Sequence, residues 1–524
     1  AISRSSLSAA LLLLSRTPAL AQQPLEPGTW RGAYEVGDQF RPVILTVPAS
    51  GDARMQAAMI DTTSFVVALG SEQGATVINW MRGQQPIRLT GTPAGGIVRG
   101  EAMAGDARGT FVLRRVADVP LERLKAHVGE YRLGDGSLLS ISGGSSPYEG
   151  LSFFHFRTGR TGKLFALSED RYVAGPRRFD VDPVELTVEF EGADRAVVRY
   201  PDGRVETGRR MEMRREREVT ITSGAVRLAG TLTLPAGRGP FPAVVLLHGS
   251  DPHLRFRGTI VSFFVSQGLA VLTWDKRGNG GSTGTLETST IDTFAVDAEA
   301  AVAFLRRQPE IDAARVGVWG VSQGGWPAAR VAEWDSALAF VIIHAGSGLT
   351  PARQGEDEMR SMIQERGGSE DDMRDGLAYL RAFEDLVRTG QGRAALDSTY
   401  QALRARGFRF AWSPALAETP RSRLQRGIMD FDPLPSWAKS RVPLLAFFGQ
   451  NDPLVPPETN LEPMRQARAR SGAKTEFYVI PGVNHRFELT PRRRTNSDFA
   501  LASREAPVYY ETMARWLRET LGRN

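Results

Sequence analysis

Alternating apolar and polar positions fill the first part of the chain. From Trp30 to about Val116, short runs such as Pro42-Val43-Ile44-Leu45-Thr46-Val47 and Thr110-Phe111-Val112-Leu113 are separated by glycine-rich turns, the two-residue period of an antiparallel meander. A second stretch begins near Leu121. There Gly129-Glu130-Tyr131-Arg132-Leu133 passes through Asp135-Gly136 into Ser137-Leu138-Leu139-Ser140-Ile141, a hairpin pattern, and further strands are predicted at Val184–Val188 and Ala196–Tyr200. Two all-β modules, 25–117 and 118–216, follow from this reading.

After Glu218 the texture changes. Apolar runs at Ala243–Leu247, Leu269–Trp274, Arg315–Trp319, Phe340–Ile343, Pro443–Phe448 and Glu476–Ile480 alternate with amphipathic helical stretches, which predicts an α/β domain with a largely parallel sheet over 217–524. Between 350 and 436 the alternation stops and the pattern is helical, as in Met373–Val387. A helical insertion between two strands of such a sheet lies above the strand ends, where α/β proteins bind ligands, so 350–436 is predicted to be a lid.

The first 21 residues stand apart. Arg4 precedes an apolar run, Leu7–Leu14, and Ala19-Leu20-Ala21 closes the segment before Gln22, the three-part plan of a secretory signal, although Arg16 interrupts it and the chain starts at Ala1. Residues 1–21 are thus expected to be a signal peptide, and the protein to be exported to a periplasm or the medium. No other run approaches the ~20 apolar residues of a membrane span, so no stable membrane insertion is expected.

Composition narrows the classes. A chain of 524 residues with 41% hydrophobic and 24% charged residues has the make-up of a globular protein of three or four domains. The formal charge is +6, and loss of Arg4 and Arg16 with the leader would leave 6 − 2 = +4. With no block of like charges, solvated faces are a better reading than a phosphate-tracking patch, and no nucleic-acid partner is expected. The absence of cysteine excludes disulfides, thiolate metal sites and a cysteine nucleophile.

Chemistry concentrates at Gly320-Val321-Ser322-Gln323-Gly324, between a strand ending at Trp319 and a helix-compatible run, Ala328–Trp334. A strand that turns directly into a helix leaves no room for side chains at Gly320 and Gly324 and pushes Ser322 out at the sheet edge. Pro327 is tolerated there because it falls in the helix's first turn. The same spacing recurs at Gly280-Gly281-Ser282-Thr283-Gly284, but inside a long loop with no helix following, so context selects Ser322.

A serine needs a base, and the chain offers six histidines: His127, His155, His248, His253, His344 and His485. His155, among Phe153, Phe154 and Phe156, reads as a packed surface histidine, and His344, closing an apolar strand, as structural. With the order serine, acid, histidine, His485 in Pro481-Gly482-Val483-Asn484-His485 is the base. Asp452, in the loop directly after Pro443–Phe448 and held by Pro453 and Pro456, is the acid chosen over Asp430, Asp432 and Glu488. It would fix the imidazole tautomer. The backbone N–H of Gln323 and that of Ser250, in the loop after Ala243–Leu247, are assigned to the oxyanion hole.

Four motifs in order, His248-Gly249-Ser250, Asp275-Lys276-Arg277-Gly278-Asn279-Gly280-Gly281-Ser282-Thr283-Gly284, Gly320 to Gly325, and the Asp452 and His485 loops, give the C-terminal 300 or so residues their likeness: they resemble a bacterial α/β-hydrolase of the esterase and serine-aminopeptidase type. The resemblance implies an α/β-hydrolase fold, a Ser322-Asp452-His485 triad, Gln323 and Ser250 at the oxyanion hole, and Asp275 and Arg277 as structural braces. Asp251 departs from the glycine relatives often carry after His-Gly-Ser. A carboxylate beside the oxyanion loop calls for a cation, and Arg255 and Arg257 are at hand. The segment 30–116 is similar to the β-module that precedes the catalytic domain in some secreted bacterial esterases.

The expected function is therefore an exported serine hydrolase that cleaves carboxylic esters of a small-molecule substrate. The first alternative is a serine peptidase of prolyl-oligopeptidase or aminopeptidase type, for which the insertion's acids, Glu356, Asp357, Glu358, Glu370, Asp371 and Asp372, are candidate amine ligands. The second is a catalytically inert binding protein, against which the intact serine, aspartate and histidine argue. No cofactor or metal is expected: there is no His-Glu-x-x-His, no cysteine, and the Asp275 loop lacks the twelfth-position glutamate of a calcium hand. These residues select no acyl length and no oligomeric state.

Overall fold

In the computed structural model the described residues are 25–522, except 38, 58–63, 144–149, 213, 251–253, 257 and 491–500. The predicted signal segment, His253 and the Asp251 and Arg257 positions lie outside them. The chain divides into two compact units, one comprising residues up to 136 with 141–153 and 162–210, the other 137–140, 154–161 and 211 onward.

In the first unit, nine antiparallel strands between Gly28 and Val116 form one sheet, in which Gly28–Val36 lies between Gln39–Val47 and Ala107–Val116. Its buried face is the alternate set that the pattern predicts, with Trp30, Leu45, Leu89, Phe111 and Leu113 at its core. After the short helix Leu121–His127, eight strands between Gly129 and Arg210 close into a barrel. His127 stacks on Phe190 at 4.0 Å, and burial lowers its pKa, so it packs as a neutral ring. His155 is buried rather than at the surface: it sits on a barrel strand, Leu151–His155, in which Phe153 and Phe154 are also buried.

In the second unit the strands are β1 (Arg214–Ser223), β2 (Val226–Pro235), β3 (Phe241–Leu247), β4 (Ala270–Trp274), β5 (Ile311–Val321), β6 (Val341–His344), β7 (Leu444–Gly449) and β8 (Thr475–Ile480), in the spatial order β1-β2-β4-β3-β5-β6-β7-β8. From β4 through β8 the neighbours are parallel, and β1 and β2 form an antiparallel hairpin at one edge. Helices on both faces explain the unbroken apolar runs of β3, β6 and β7. β1 begins before the boundary read at 217, because its Arg214-Arg215-Glu216-Arg217-Glu218 run looks like a polar linker. It is an edge strand, and its exposed charges deter a further strand from pairing.

The helices α1 (Thr259–Ser266), α2 (Ile291–Arg306) and α3 (Gly325–Trp334) connect the sheet. Between β6 and β7 run α4 (Pro351–Glu365), α5 (Glu370–Thr389), α6 (Arg393–Ala405), α7 (Pro420–Ile428) and α8 (Leu434–Lys439). The long helices start where local chemistry directs: Thr350 caps α4, and a Ser369–Asp372 capping box opens α5. Met359, Ile363, Leu380, Phe383 and Leu403 give this insertion a core of its own. α8 is different, since its Trp437 is buried in the main core beneath the sheet. α9 (Pro457–Ser471) and α10 (Pro507–Thr520) complete the unit. Among the described residues, no helix is long and apolar enough to cross a membrane.

Candidate active site

β5 delivers Ser322 into a single 3₁₀ turn, Ser322–Gly324, that opens straight into α3. Ser322 has φ 51°, a left-handed conformation that a non-glycine residue adopts only when its surroundings enforce it. The enforcement is steric. A Cβ on Gly320 would lie 2.5 Å from Gly324 O, and one on Gly324 would lie 2.6 Å from Leu247 O and 2.9 Å from His248 O. Both glycines are therefore needed for close backbone approach, one within the turn and the other against the loop after β3.

Asp452 follows β7 in a tight loop and is fully buried. Its Oδ1 accepts the N–H groups of Leu454 at 2.8 Å and Val455 at 2.9 Å, while Oδ2 accepts from His485 Nδ1 at 2.7 Å. Two fixed donors leave the carboxylate one orientation, and the imidazole must carry its proton on Nδ1, leaving Nε2 as the basic nitrogen. The turn under His485 is pinned by Asn484, whose Oδ1 accepts from the N–H groups of Arg486 at 2.9 Å and Glu488 at 3.1 Å. Glu488 in turn accepts from Asn484 Nδ2, and Asp430 pairs with Arg388 through both oxygens. Asp432 is occupied as well, accepting from the Leu434 N–H. The three rejected acids thus each have structural partners.

A support of which the sequence suggests only His344, as a structural residue, lies at the histidine loop. Trp319 Nε1 donates to Tyr509 Oη at 3.0 Å, the Tyr509 hydroxyl meets His344 Nδ1 at 3.1 Å, and His344 Nε2 meets the His485 carbonyl at 3.2 Å. Since that carbonyl only accepts, His344 Nε2 carries the proton and Nδ1 accepts from Tyr509. Burial, reinforced by His485 nearby, lowers the His344 pKa to about 3, so the ring stays neutral. Val321 pairs with His344 across β5 and β6, which brings the elbow and the His485 loop to one end of the same two strands.

The Asp275 loop is a brace. Asp275 Oδ1 accepts from Arg255 N at 3.0 Å and Nε at 3.1 Å, and Oδ2 from Arg255 Nη2 at 3.0 Å and Gly281 N at 3.0 Å. Burial alone would raise this carboxyl, but the four donors outweigh it and take the pKa down to about 2. Arg255 also pairs with Glu218 on β1, so the guanidinium serves the loop and the edge hairpin together. Arg277 holds Asp297 of α2 through two bonds, 2.8 and 2.6 Å. Ser282, the serine of the second Gly-x-Ser-x-Gly, donates to Asp275 O at 2.6 Å and accepts from Ala229 N at 2.9 Å, which ties it into the backbone.

Gln323 is buried, and Ser250 is exposed. The insertion's acids divide by partner: Glu356 pairs with Arg381 at 2.8 Å, Asp357 accepts from Thr459 Oγ1 at 2.6 Å, Asp371 pairs with Arg374 and Asp372 serves the α5 cap, whereas Glu370 is exposed in its first turn. Glu358 differs. The residue is exposed on α4; desolvation of its carboxyl raises the pKa, and the nearby charges of Arg421 and His485 lower it. Among the described residues, no group of three or more His, Asp or Glu side chains is placed to hold a metal ion.

A largely parallel sheet in this strand order, with a strained serine at the β5–α3 turn and a buried aspartate-histidine pair beyond β7 and β8, defines the C-terminal part of the chain as an α/β-hydrolase. The sequence agrees: residues 244–497 match the model of the Alpha/beta hydrolase family. Curated proteins similar to it include esterase EstD of Thermotoga maritima, 32% identical over 161 residues, which are 28% of this chain and 35% of that protein. The quorum-quenching protein AidA of Acinetobacter baumannii is 34% identical over 127 residues, 24% of this chain and 42% of that protein. Acyl-coenzyme A thioesterase 1 of Rattus norvegicus is 30% identical over 132 residues, 25% and 29% of the two chains. The chain thus spans less than half the length of each of these relatives.

Proposed function

We propose that the protein is a serine hydrolase that cleaves carboxylic esters through an acyl-enzyme. The observation that carries this reading is Ser322 held at φ 51° on a strand-to-helix turn, together with His485 oriented by Asp452 at 2.7 Å. Ser322 Oγ attacks the ester carbonyl while His485 Nε2 takes its proton, and the imidazolium so formed is stabilised by Asp452. The N–H groups of Gln323 and Ser250 receive the negative oxygen. His485 then protonates the departing alcohol, and water, activated by the same nitrogen, releases the acid. The 350–436 insertion serves as lid. The leader-like pattern of residues 1–21 supports export, which N-terminal sequencing of the protein from whole cells would check at the Ala21–Gln22 bond.

Wild type and Ser322→Ala are to be compared on 4-nitrophenyl butyrate, an acyl-coenzyme A thioester and aminoacyl 4-nitroanilides. Ester cleavage by wild type that vanishes in the variant is the expected result, and equal rates for both proteins on every substrate would refute the reading.

The peptidase reading has one observation in its favour, the position of Glu358. A carboxylate in electrostatic reach of His485 suits the protonated amine of an aminoacyl substrate. Under that reading Glu358→Gln raises KM for aminoacyl anilides and leaves neutral esters unaffected.

A further inference from the structure

Lys276 follows Asp275 at the end of β4 and is 4% exposed. Its ammonium donates to Gly249 O at 2.7 Å and to Gln323 Oε1 at 2.7 Å, and it lies 4.9 Å from the centre of the Phe294 ring. The cavity at this point, lined by His248, Lys276, Phe294 and Gln323 among others, holds about 20 Å³. That is room for a single water and not for a substrate, so the ammonium works on the protein and not directly on a ligand.

These two acceptors, among the described residues, belong to the peptide and the residue assigned to the oxyanion hole. The Gly249 carbonyl and the Ser250 N–H are two ends of one planar trans peptide and point in opposite directions. Whatever fixes the carbonyl fixes the line along which Ser250 donates. A cation on the carbonyl oxygen also polarises the amide and makes its N–H a stronger donor. The second bond, to the Gln323 side chain, anchors the residue whose backbone N–H is the other donor. A position that served packing alone would favour an apolar side chain, since burying an ammonium is costly unless its bonds are used.

We propose that Lys276 is a positioning residue of the oxyanion hole: by bridging Gly249 O and Gln323 Oε1 it aims the N–H groups of Ser250 and Gln323 at the oxygen of the tetrahedral intermediate. The proposal rests on the serine-hydrolase reading. It concerns the transition state and not the ground state, so Lys276 supports kcat and leaves KM alone.

The test uses Lys276→Met, which keeps the length and loses charge and donors, and Lys276→Gln, which keeps an N–H donor without the charge. Complete labelling by a fluorophosphonate counts functional Ser322 sites. Per labelled site, kcat on 4-nitrophenyl acetate is expected to fall about 10- to 100-fold in Lys276→Met, less than the loss of an oxyanion donor itself. KM stays within about twofold, and the affinity for phenylboronic acid, which forms the tetrahedral adduct, falls in parallel with kcat. Lys276→Gln lies between the two, and it carries the test should the methionine variant not fold. Wild-type kcat and boronate affinity per labelled site in a folded variant would overturn the proposal, as would a loss fully accounted for by fewer labelled sites. A wild-type protein that neither labels nor cleaves any ester overturns the serine-hydrolase reading itself, and the proposal with it.

Discussion

Glu384 gives the insertion a measurable dependence on pH. It lies on α5, is 8% exposed, and its pKa is raised to about 7, chiefly by burial; Arg388 works against this, while Glu356, Asp385 and Asp430 add to it. The folded chain therefore holds this proton in a range where the unfolded chain, with an ordinary value of 4.5, has released it. Folding takes up a proton between pH 4.5 and about 7, so stability present below that window is lost as pH rises through it. At 1.36 kcal/mol per pH unit the loss amounts to about 3 kcal/mol. Glu384→Gln mimics the protonated acid at every pH. Urea unfolding of the two proteins should agree to within about 1 kcal/mol at pH 4.5 and differ by about 3 kcal/mol at pH 8.5, with the glutamine variant more stable. Equal stability at pH 8.5, or the same gain at both pH values, would refute the assignment of Glu384 as a buried, proton-retaining carboxyl.

Asp452→Asn removes the acceptor that fixes Nδ1–H on His485, and should lower kcat by about 10³- to 10⁴-fold with little change in thermal stability; steady-state kinetics on 4-nitrophenyl butyrate check this. Gly324→Ala drives a Cβ to 2.6 Å from Leu247 O, a backbone atom that cannot swing aside, so ester turnover should drop while the β-modules keep their circular-dichroism signature. Asp275, whose pKa is lowered from 3.8 to about 2, contributes stability above pH 3.8 that is lost as pH falls through about 2. Asp275→Asn should therefore cost about 2 kcal/mol at pH 7 in urea unfolding, and the deficit should shrink towards pH 2.

The sheet was legible because strands covered on both faces cannot alternate: Val244, Val245 and Leu246, or Leu445, Ala446 and Phe447, have nowhere polar to point. β1 escaped because an edge strand is solvated on one side, and its charged run carries no apolar signature. The elbow was legible because its geometry restricts residue type: only glycine fits at 320 and 324. Asp452 was legible from its place after a strand end. The supports were not. His344, Tyr509 and Trp319 meet through single hydrogen bonds between remote parts of the chain, and none of those bonds leaves a local pattern. Lys276 is hidden for the same reason. In sequence it is one more basic residue in a loop, and only the positions of Gly249 and Gln323 give its ammonium a task.

The aromatic cluster around α10 has a consequence for how the chain is made. Phe154 packs against Tyr510 at 5.3 Å, and Phe156 against Tyr510 at 5.4 Å and Phe263 at 6.4 Å, all within the second unit. Phe154 and Phe156 thus wait for a helix that is synthesised far later in the chain. Until α10 emerges, Phe154, Phe156 and Phe263 lack their aromatic partner, and contacts so distant in sequence close slowly. A chain released short of residue 507 leaves that surface open, and the second unit, which includes residues 137–140 and 154–161, is not a simple C-terminal fragment.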